Sequence, residues 1–222
     1  DDIQKSNDIL ICKSAGNSDN LGRITSGAES MLALTVGSIC NRGNHPDDLA
    51  EGMHSPFSRI GYGPEGLIKP EVVHYGGNKR TGVTVLTGAD FQYTAFGTSF
   101  STPRVSSLAA HLFHRLDMPF DPTLIKALII HNASYPSIVD KSVTGFDKMY
   151  GFGLPASVDD MLNNDEDEIT MIWQPDFNNG TDFQVIDFPY PEALIDENGY
   201  FYGIVTVTIV TNPILKGSEG NE

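Results

Sequence analysis

The feature that most constrains the fold is the run SMLALTVGSIC at residues 30–40, which is apolar almost without interruption. A strand with one face in water alternates apolar and polar residues, because successive side chains point to opposite faces. A continuous run predicts a strand buried on both faces, as in a parallel sheet between helices. A second apolar run, Ile9 to Cys12, precedes a Gly-Asn turn and predicts another strand. Shorter extended pieces are expected within 68–77 and 82–88.

Two helices are expected to cover this sheet. The first follows AFGTSFSTP at 95–103, and its apolar residues recur at helical spacing: Val105, Leu108, Ala109, Leu112 and Leu116. The second is DPTLIKALIIHNAS, where Asp121 can cap the helix and Pro122 suits its first position. The predicted fold class is therefore α/β, with a parallel β-sheet flanked by helices.

The character of the chain changes at the acidic run NNDEDE, residues 163–168, which is typical of a linker. We therefore predict one domain over residues 1–162 and a separate segment over 169–222. The later segment contains FQVIDFPYP and YFYGIVTVTIVTNP, the latter alternating around Val205, Val207 and Ile209. This pattern predicts the start of a small β-rich module.

Composition excludes some classes of partner. The net charge of −15 argues against a broad phosphate-binding surface, so nucleic acid is not expected as a partner. No apolar run is long enough to span a bilayer, so no membrane partner is expected either. The only two cysteines, Cys12 and Cys40, are too few for a disulfide framework and are expected to be buried thiols. Nothing in the sequence indicates the compartment.

Residues 97–103, GTSFSTP, place Ser99 at the start of the first helix. A hydroxyl becomes a nucleophile only with an adjacent base and a site for the oxyanion, and a helix N-terminus contributes to that site through free N–H groups. The alternative is that Ser99 or Ser101 merely caps the helix. An α/β-hydrolase elbow requires glycine two residues after its nucleophile, and residue 101 is serine, so that class does not fit.

Several segments together resemble one family. GTSFSTPRVSSLAAHL is similar to the active-site serine segment of the subtilisin-like serine proteases, the subtilases. SAGNSD (14–19), LALTVGSI (32–39) and SPFSRIGYGPEGLIKPEVVHYGG (55–77) resemble further family segments in the family's order. The second helix and YGFGLP resemble its closing elements. The resemblance covers roughly residues 3–160 and implies a subtilisin-like, incomplete sheet.

The resemblance implies a role for each motif. Ser99 would be the nucleophile and Asn17 the oxyanion-hole amide, although Asn17 alone could be a plain turn residue. Ser14, Ala15 and Gly16 would line one side of the substrate pocket, and Gly97 and Thr98 complete the substrate-binding set. No cofactor is required. Structural calcium is frequent in the family, but no ligands are assigned: the loops DNLG and DFNNGTD carry oxygen donors and equally suit plain turns.

A subtilase also needs a histidine base and an aspartate that orients it. In the family both precede the oxyanion asparagine, and no matching motif occurs in this chain, so we expect them upstream of the fragment. The histidines are expected to be structural or exposed, the alternative being that His45 or His54 folds over Ser99; the six are His45, His54, His74, His111, His114 and His131. The fragment alone is therefore predicted to be inactive.

Two functions and two partners follow. The first function is a serine endopeptidase that acts on peptide or protein substrates; the alternative is a non-catalytic subtilase-like scaffold that binds peptides or protein partners. The strand at Ile9–Cys12 would lack a neighbour on one side, leaving unpaired backbone groups. We expect this edge to pair with the missing N-terminal part of the same protease or with a second copy of the chain.

Overall fold

The apolar run at 30–40 forms β2 (Leu34–Ile39), the middle strand of a parallel sheet. Its neighbours are β1 (Cys12–Ser14) and β3 (Val72–Tyr75). In this computed structural model, which describes residues 1–87, 91–164, 166, 168–176, 180, 182 and 184–212, every residue of β2 is buried. The prediction of a strand covered on both faces is confirmed.

The first strand begins three residues later than the sequence predicts. Residues 2–7 form a short helix, α1 (Asp2–Asn7), which the pattern did not indicate. Its buried Gln4 accepts a hydrogen bond from the Ile11 N–H through Oε1 and donates to the Leu32 carbonyl through Nε2. The start of the apolar run therefore bonds to α1, and pairing with β2 begins where the Leu34 N–H donates to the Ile11 carbonyl.

Two long helices pack on one face of the sheet. Helix α2 (Thr98–Arg115) buries Val105, Ala109 and Leu112 against the strands, as its spacing predicts. Helix α3 (Pro122–His131) is capped by Asp121, whose carboxylate accepts hydrogen bonds from the N–H groups of the first turn. The core of this layer also contains Leu34, Val36, Val72, Leu124, Ile125, Leu128, Ile129, Ile130, Val158 and Met161.

The other face of the sheet is covered by the segment after α3. Ile39 and Val73 pack there against Tyr150, with partly buried Tyr135, Met149 and Leu154 around them. The remaining elements are the antiparallel pair β4 (Val83–Thr87) and β5 (Phe91–Ala95), the pair β6 (Ala133–Ser134) and β7 (Leu154–Pro155), and the short helices α4 (Asp147–Tyr150) and α5 (Val158–Met161). The sheet is thus enclosed between two layers.

A buried ionic cluster joins several of these elements. The Glu71 carboxylate pairs with the ammonium groups of Lys69 and Lys126 and accepts a hydrogen bond from the Thr35 N–H of β2. Both ammonium groups also donate to the Ala33 carbonyl. Burial lowers the pKa of Lys69 to about 8. The cluster connects α3, β2 and the start of β3 to the loop before β2.

The C-terminal segment differs from its prediction. Among the described residues of 169–212 there is no strand, only a 3₁₀ turn at Glu192–Leu194 and an isolated bridge between Ile195 and Phe201. The alternating residues Val205, Val207 and Ile209 are exposed, and no strand of the described residues lies beside them. Residues 165, 167, 177–179, 181, 183 and 213–222 of the predicted linker and β-rich module lie outside the described residues. The division of the chain at 163–168 stays a prediction.

Hydrogen bonds and one apolar contact attach described residues of this segment to the rest of the protein. The Gln174 amide donates to Asp121 at 2.6 Å, and Thr208 Oγ1 lies 2.9 Å from His131 Nδ1. Val210 packs against the core under α2 and α3. Both cysteines are free, as expected: Cys40 is buried and Cys12 is half-buried. No helix in the described part of the chain is long and apolar enough to cross a membrane.

Candidate active site

The carboxyl end of β1 presents Asn17. The Ala15 N–H donates to the Val36 carbonyl of β2 at 2.9 Å, which continues the strand. Gly16 has φ +99°, and a Cβ there would lie 2.9 Å from Cδ of Arg59, so only glycine suits this turn. Asn17 then forms a bridge with Ser58, and its side chain is exposed. The turn therefore holds an amide group at the carboxyl edge of the sheet.

The serine segment follows β5 in the chain and lies at the same edge of the sheet, next to the end of β3. The Gly97 N–H donates to the Gly76 carbonyl, directly after β3, at 2.9 Å. Helix α2 begins at Thr98, with Gly97 as a cap that offers no side-chain hydrogen bond. Thr98 is buried, while Ser99, the second residue of the helix, is exposed. The helix thus presents the Ser99 side chain to solvent at the carboxyl ends of the strands.

Asn17 and the serine segment are in direct contact. Asn17 Oδ1 accepts hydrogen bonds from the Thr98 N–H and the Thr98 hydroxyl, both at 2.9 Å. Because Oδ1 is occupied, the NH₂ group of Asn17 is the side that remains to donate. A Cβ at residue 97 would lie 3.1 Å from that Nδ2 atom, so Gly97 leaves the space beside it open. The structure brings Asn17, Gly97, Thr98 and Ser99 together.

Ser99 does not cap the helix. The cap position belongs to Gly97, and Ser101 is buried and donates to the Thr98 carbonyl at 3.1 Å. The Ser99 N–H lies in the first turn, where backbone donors have no partner inside the helix. No other described residue hydrogen-bonds to its hydroxyl. The capping alternative for Ser99 and Ser101 is therefore excluded.

The three residues before Asn17 differ in their exposure to solvent. Ser14 and Gly16 are partly exposed, whereas Ala15 is fully buried. The Ala15 side chain packs with Ile24 and Ala28, and its carbonyl accepts from the Thr25 N–H. The substrate-lining role of Ser14, Ala15 and Gly16 stays a prediction.

No histidine of the described chain hydrogen-bonds to Ser99. His111 lies twelve residues further along α2, about 18 Å away. His45 is exposed and near Asp47, and His131 contacts Thr208. His54 and His74 are half-buried, and burial lowers the pKa of each to about 4. Both rings are therefore uncharged at neutral pH.

Metal sites receive no support from side-chain clustering. Within the described ranges, no group of three or more His, Cys, Asp or Glu residues could hold a metal ion. Of the two loops considered for calcium, DNLG at 19–22 is exposed or half-buried surface. The other, 176–182, lies largely outside the described residues.

The profile of the subtilase family matches residues 1–153. The chain belongs to the subtilase family. A comparison with curated protein sequences gave no match. The parallel sheet and the two covering helices are thus features of a subtilase domain.

Solved structures of subtilisin-like proteases share this fold. They include the prenylagaramide maturation protease PagA, with 19% identity, a TM-score of 0.51, and coverage of 73% of this chain and 54% of that chain. The patellamide maturation protease PatA has 23% identity, a TM-score of 0.52, and coverage of 72% and 52%. A mutant of the epidermin leader peptide processing protease EpiP from Staphylococcus aureus has 17% identity, a TM-score of 0.54, and coverage of 73% and 42%. This subtilase chain spans about half the length of these structures.

Sequence reasoning missed two residues that position the subtilase site. Thr98, predicted only as a substrate contact, fixes the Asn17 amide through two hydrogen bonds. Arg59 donates to the carbonyls of Asn17 and Arg23, at 3.1 and 2.8 Å, and so holds the turn in place. The segment that contains Arg59 resembles a family segment, but its residue pattern did not indicate which carbonyls the guanidinium would bind.

Replacing Thr98 with valine should lower the activity of the full-length protein by about three- to tenfold, the worth of one lost hydrogen bond. Valine keeps the shape and the backbone N–H but removes the hydroxyl that holds Asn17 Oδ1. We expect kcat to fall with KM unchanged, because a loosened amide weakens transition-state binding. Thr98→Ser, which keeps the hydroxyl, is the control and should stay near wild type. Equal losses in both variants would contradict a positioning role.

Proposed function

We propose that this chain is the part of a subtilisin-type serine endopeptidase that carries the nucleophile, Ser99, and the oxyanion amide, Asn17. The observation that supports it best is the pair of hydrogen bonds from Thr98 to Asn17 Oδ1, immediately before an exposed Ser99 whose hydroxyl bonds to no other described residue. The substrate class is peptide bonds in peptides or proteins. The histidine and aspartate of the triad come from outside these 222 residues.

The chemistry follows from the positions of these groups. Ser99 Oγ attacks the scissile carbonyl carbon while its proton passes to the histidine, and the carbonyl oxygen becomes an anion. The NH₂ of Asn17 and the Ser99 N–H donate to that anion, which stabilises the tetrahedral intermediate. The amine leaves with the proton from the histidine, and water then releases the acyl group from Ser99. Both donors stay fixed throughout, because Thr98 holds the amide and α2 holds the N–H.

The sheet offers a place for the remaining part of the enzyme. β1 pairs with β2 on one side, and no described strand lies on its other side. Such an edge presents unpaired backbone groups and is a template for another strand. We propose that the segment that supplies the histidine and aspartate pairs here, with a second copy of the chain as the alternative.

Active-site labelling tests the proposed function directly. A fluorophosphonate probe should label Ser99 in the full-length protein, because the complete triad generates the nucleophile. The 222-residue chain alone should be labelled at least a hundredfold more slowly, since it lacks the base. Adding the upstream segment as a separate chain should restore labelling. Equal rates in the fragment and the full-length protein would show that a base lies within this chain, and no labelling of either would favour a non-catalytic scaffold.

Replacing Asn17 should lower kcat by about 10²–10³-fold, the loss known for the oxyanion asparagine of subtilisin, a member of this family. Two variants separate its roles. Asn17→Leu removes both the NH₂ donor and the Oδ1 atom that accepts the Thr98 hydrogen bonds. Asn17→Asp keeps an oxygen acceptor for Thr98 and removes only the NH₂ donor. We expect a large loss of kcat in both, with KM little changed.

The control is Asn44→Leu, an exposed asparagine in the loop after β2, which should leave kcat unchanged. An Asn17→Asp variant with nearly full activity would mean that Asn17 serves only to hold Thr98. That outcome would remove the oxyanion role.

A further inference from the structure

The loop that carries Asn17, residues 17–23, is held by little apolar packing. Five of these seven residues are exposed, Asn17 among them. Buried side chains therefore contribute little to the position of the loop, and its hydrogen bonds must fix it. Thr98 holds only the side-chain oxygen of Asn17, so the backbone of the loop depends on other contacts.

One segment, residues 57–60, bonds to both ends of this loop. At the first end, the Arg59 N–H donates to the Gly16 carbonyl at 3.0 Å. At the second end, the Ile60 N–H donates to the Gly22 carbonyl at 2.9 Å. The backbone of this segment therefore brings Arg59 to the point where the loop begins and ends.

The side chain of Arg59 joins the same two ends. Its Nε donates to the Asn17 carbonyl at 3.1 Å, and its Nη1 donates to the Arg23 carbonyl at 2.8 Å. A guanidinium presents its donors in a rigid planar fork, so two carbonyls bound to it are held in a fixed relation to each other. No carboxylate of the described residues forms an ion pair with Arg59, and these two carbonyls are the groups that it binds.

Two glycines leave room for this bridge. A Cβ at residue 16 would lie 2.9 Å from Cδ of Arg59, and a Cβ at residue 22 would lie 2.8 Å from its Nη1. Both separations are well inside van der Waals contact, so a side chain at either residue would displace the Arg59 side chain. Gly16 also has a left-handed φ of +99°, whereas Gly22 does not have a left-handed φ. Alanine at residue 22 would therefore disturb the bridge without straining the backbone.

We propose that Arg59 is a positioning residue for the oxyanion and acts through the backbone of Asn17. The inference rests on the proposed function, in which the NH₂ of Asn17 stabilises the tetrahedral intermediate. Arg59 fixes the Asn17 carbonyl and Thr98 fixes its Oδ1, so the NH₂ group keeps its direction while the anion forms. A donor stabilises a developing charge best when it is already in place, so loss of the bridge should slow that step.

The test uses the full-length protein, with kcat and KM measured on a fluorogenic peptide. The final extent of fluorophosphonate labelling counts the folded sites, and kcat is calculated per labelled site. Arg59→Met keeps the aliphatic stem and removes the bridge, so it should lower kcat about tenfold with KM little changed. Arg59→Lys should lose at least about threefold, because an ammonium lacks the planar fork. Arg42→Met makes the same charge change at an exposed arginine after β2 and should leave kcat unchanged.

Two further comparisons show through which contacts Arg59 acts. Gly22→Ala should lower kcat about as much as Arg59→Met, because its Cβ would displace Nη1. The two changes together should cost no more than either alone, since both break one bridge. When Asn17 is already leucine, Arg59→Met should lower kcat no further, because the donor that Arg59 positions is absent. Gly22→Ala replaces Arg59→Met in every comparison if the latter does not fold.

The outcomes separate this inference from the proposed function. If the wild-type protein is not labelled, or if Asn17→Leu retains full kcat, the proposed function fails and the role of Arg59 fails with it. If Asn17→Leu is impaired but Arg59→Met stays within about twofold of the wild-type kcat, the positioning role alone is wrong. A tenfold loss from Arg59→Met that persists in the Asn17→Leu protein would also overturn it, because Arg59 would then act by a route other than Asn17.

Discussion

Replacing Ser99 with alanine should reduce the turnover of peptide substrates by the full-length protein roughly 10⁶-fold, the size of loss found when subtilisin, a member of this family, loses its serine. On the proposed function, alanine removes the hydroxyl that forms the acyl-enzyme, while the proposed oxyanion donors and substrate contacts remain. The residual rate should therefore still exceed that of water, and KM should change little. The measurement is kcat and KM on a fluorogenic peptide, with fluorophosphonate labelling as a second readout.

The control for this variant lies on the same helix. Ser107 is exposed two turns beyond Ser99, and Ser107→Ala should retain wild-type kcat and labelling. The Ser99 hydroxyl makes no hydrogen bond with a described residue, so its removal should not affect folding either. A Ser99→Ala variant that keeps more than a few per cent of the activity would show that another residue is the nucleophile.

The central strands and helices could be predicted because burial leaves a period in the sequence. β2 is buried on both faces and is therefore continuous in apolar residues, while α2 is buried on one face and repeats every three to four residues. The start of β1 could not be predicted in this way, because Gln4 of α1 takes the Ile11 N–H. Gln4 also bonds to Leu32, twenty-eight residues away, and a single buried side chain of this kind produces no repeating pattern in the sequence.

The same distinction between local patterns and long-range contacts applies to the candidate site. Ser99 and Asn17 could be selected because each lies in a segment with a family resemblance. The contact between the two segments spans 81 residues of sequence, and no local pattern indicates that Thr98 would donate twice to Asn17. The described residues around Val205, Val207 and Ile209 form no strand, for a related reason. Alternation of apolar residues predicts a strand only where a neighbouring strand can pair with it.

The ionic cluster around Glu71 is a part of the fold that only the structure could show. One carboxylate lies between two ammonium groups, and all three side chains are buried. The carbonyls of Met31, Leu32 and Ala33 complete the shell around Lys126. Glu71 therefore offsets two positive charges that the interior could not otherwise hold. Since it directly precedes β3, it also anchors the strand after which Gly76 accepts the Gly97 N–H of the serine segment.

Replacing Glu71 with glutamine should lower the free energy of unfolding by about 3–5 kcal/mol, because two buried ammonium groups lose the one carboxylate that pairs with them among the described residues, while the shape of the side chain is kept. Urea unfolding of the full-length protein measures this, with exposed Glu29→Gln as a control expected within about 0.5 kcal/mol of wild type. Adding Lys126→Met to Glu71→Gln should recover part of the loss, since one uncompensated charge is removed. That non-additivity separates charge burial from simple loss of packing, which would make the double variant less stable than either single one. If Glu71→Gln unfolds like Glu29→Gln, the cluster does not stabilise the domain and β3 is held by apolar packing alone.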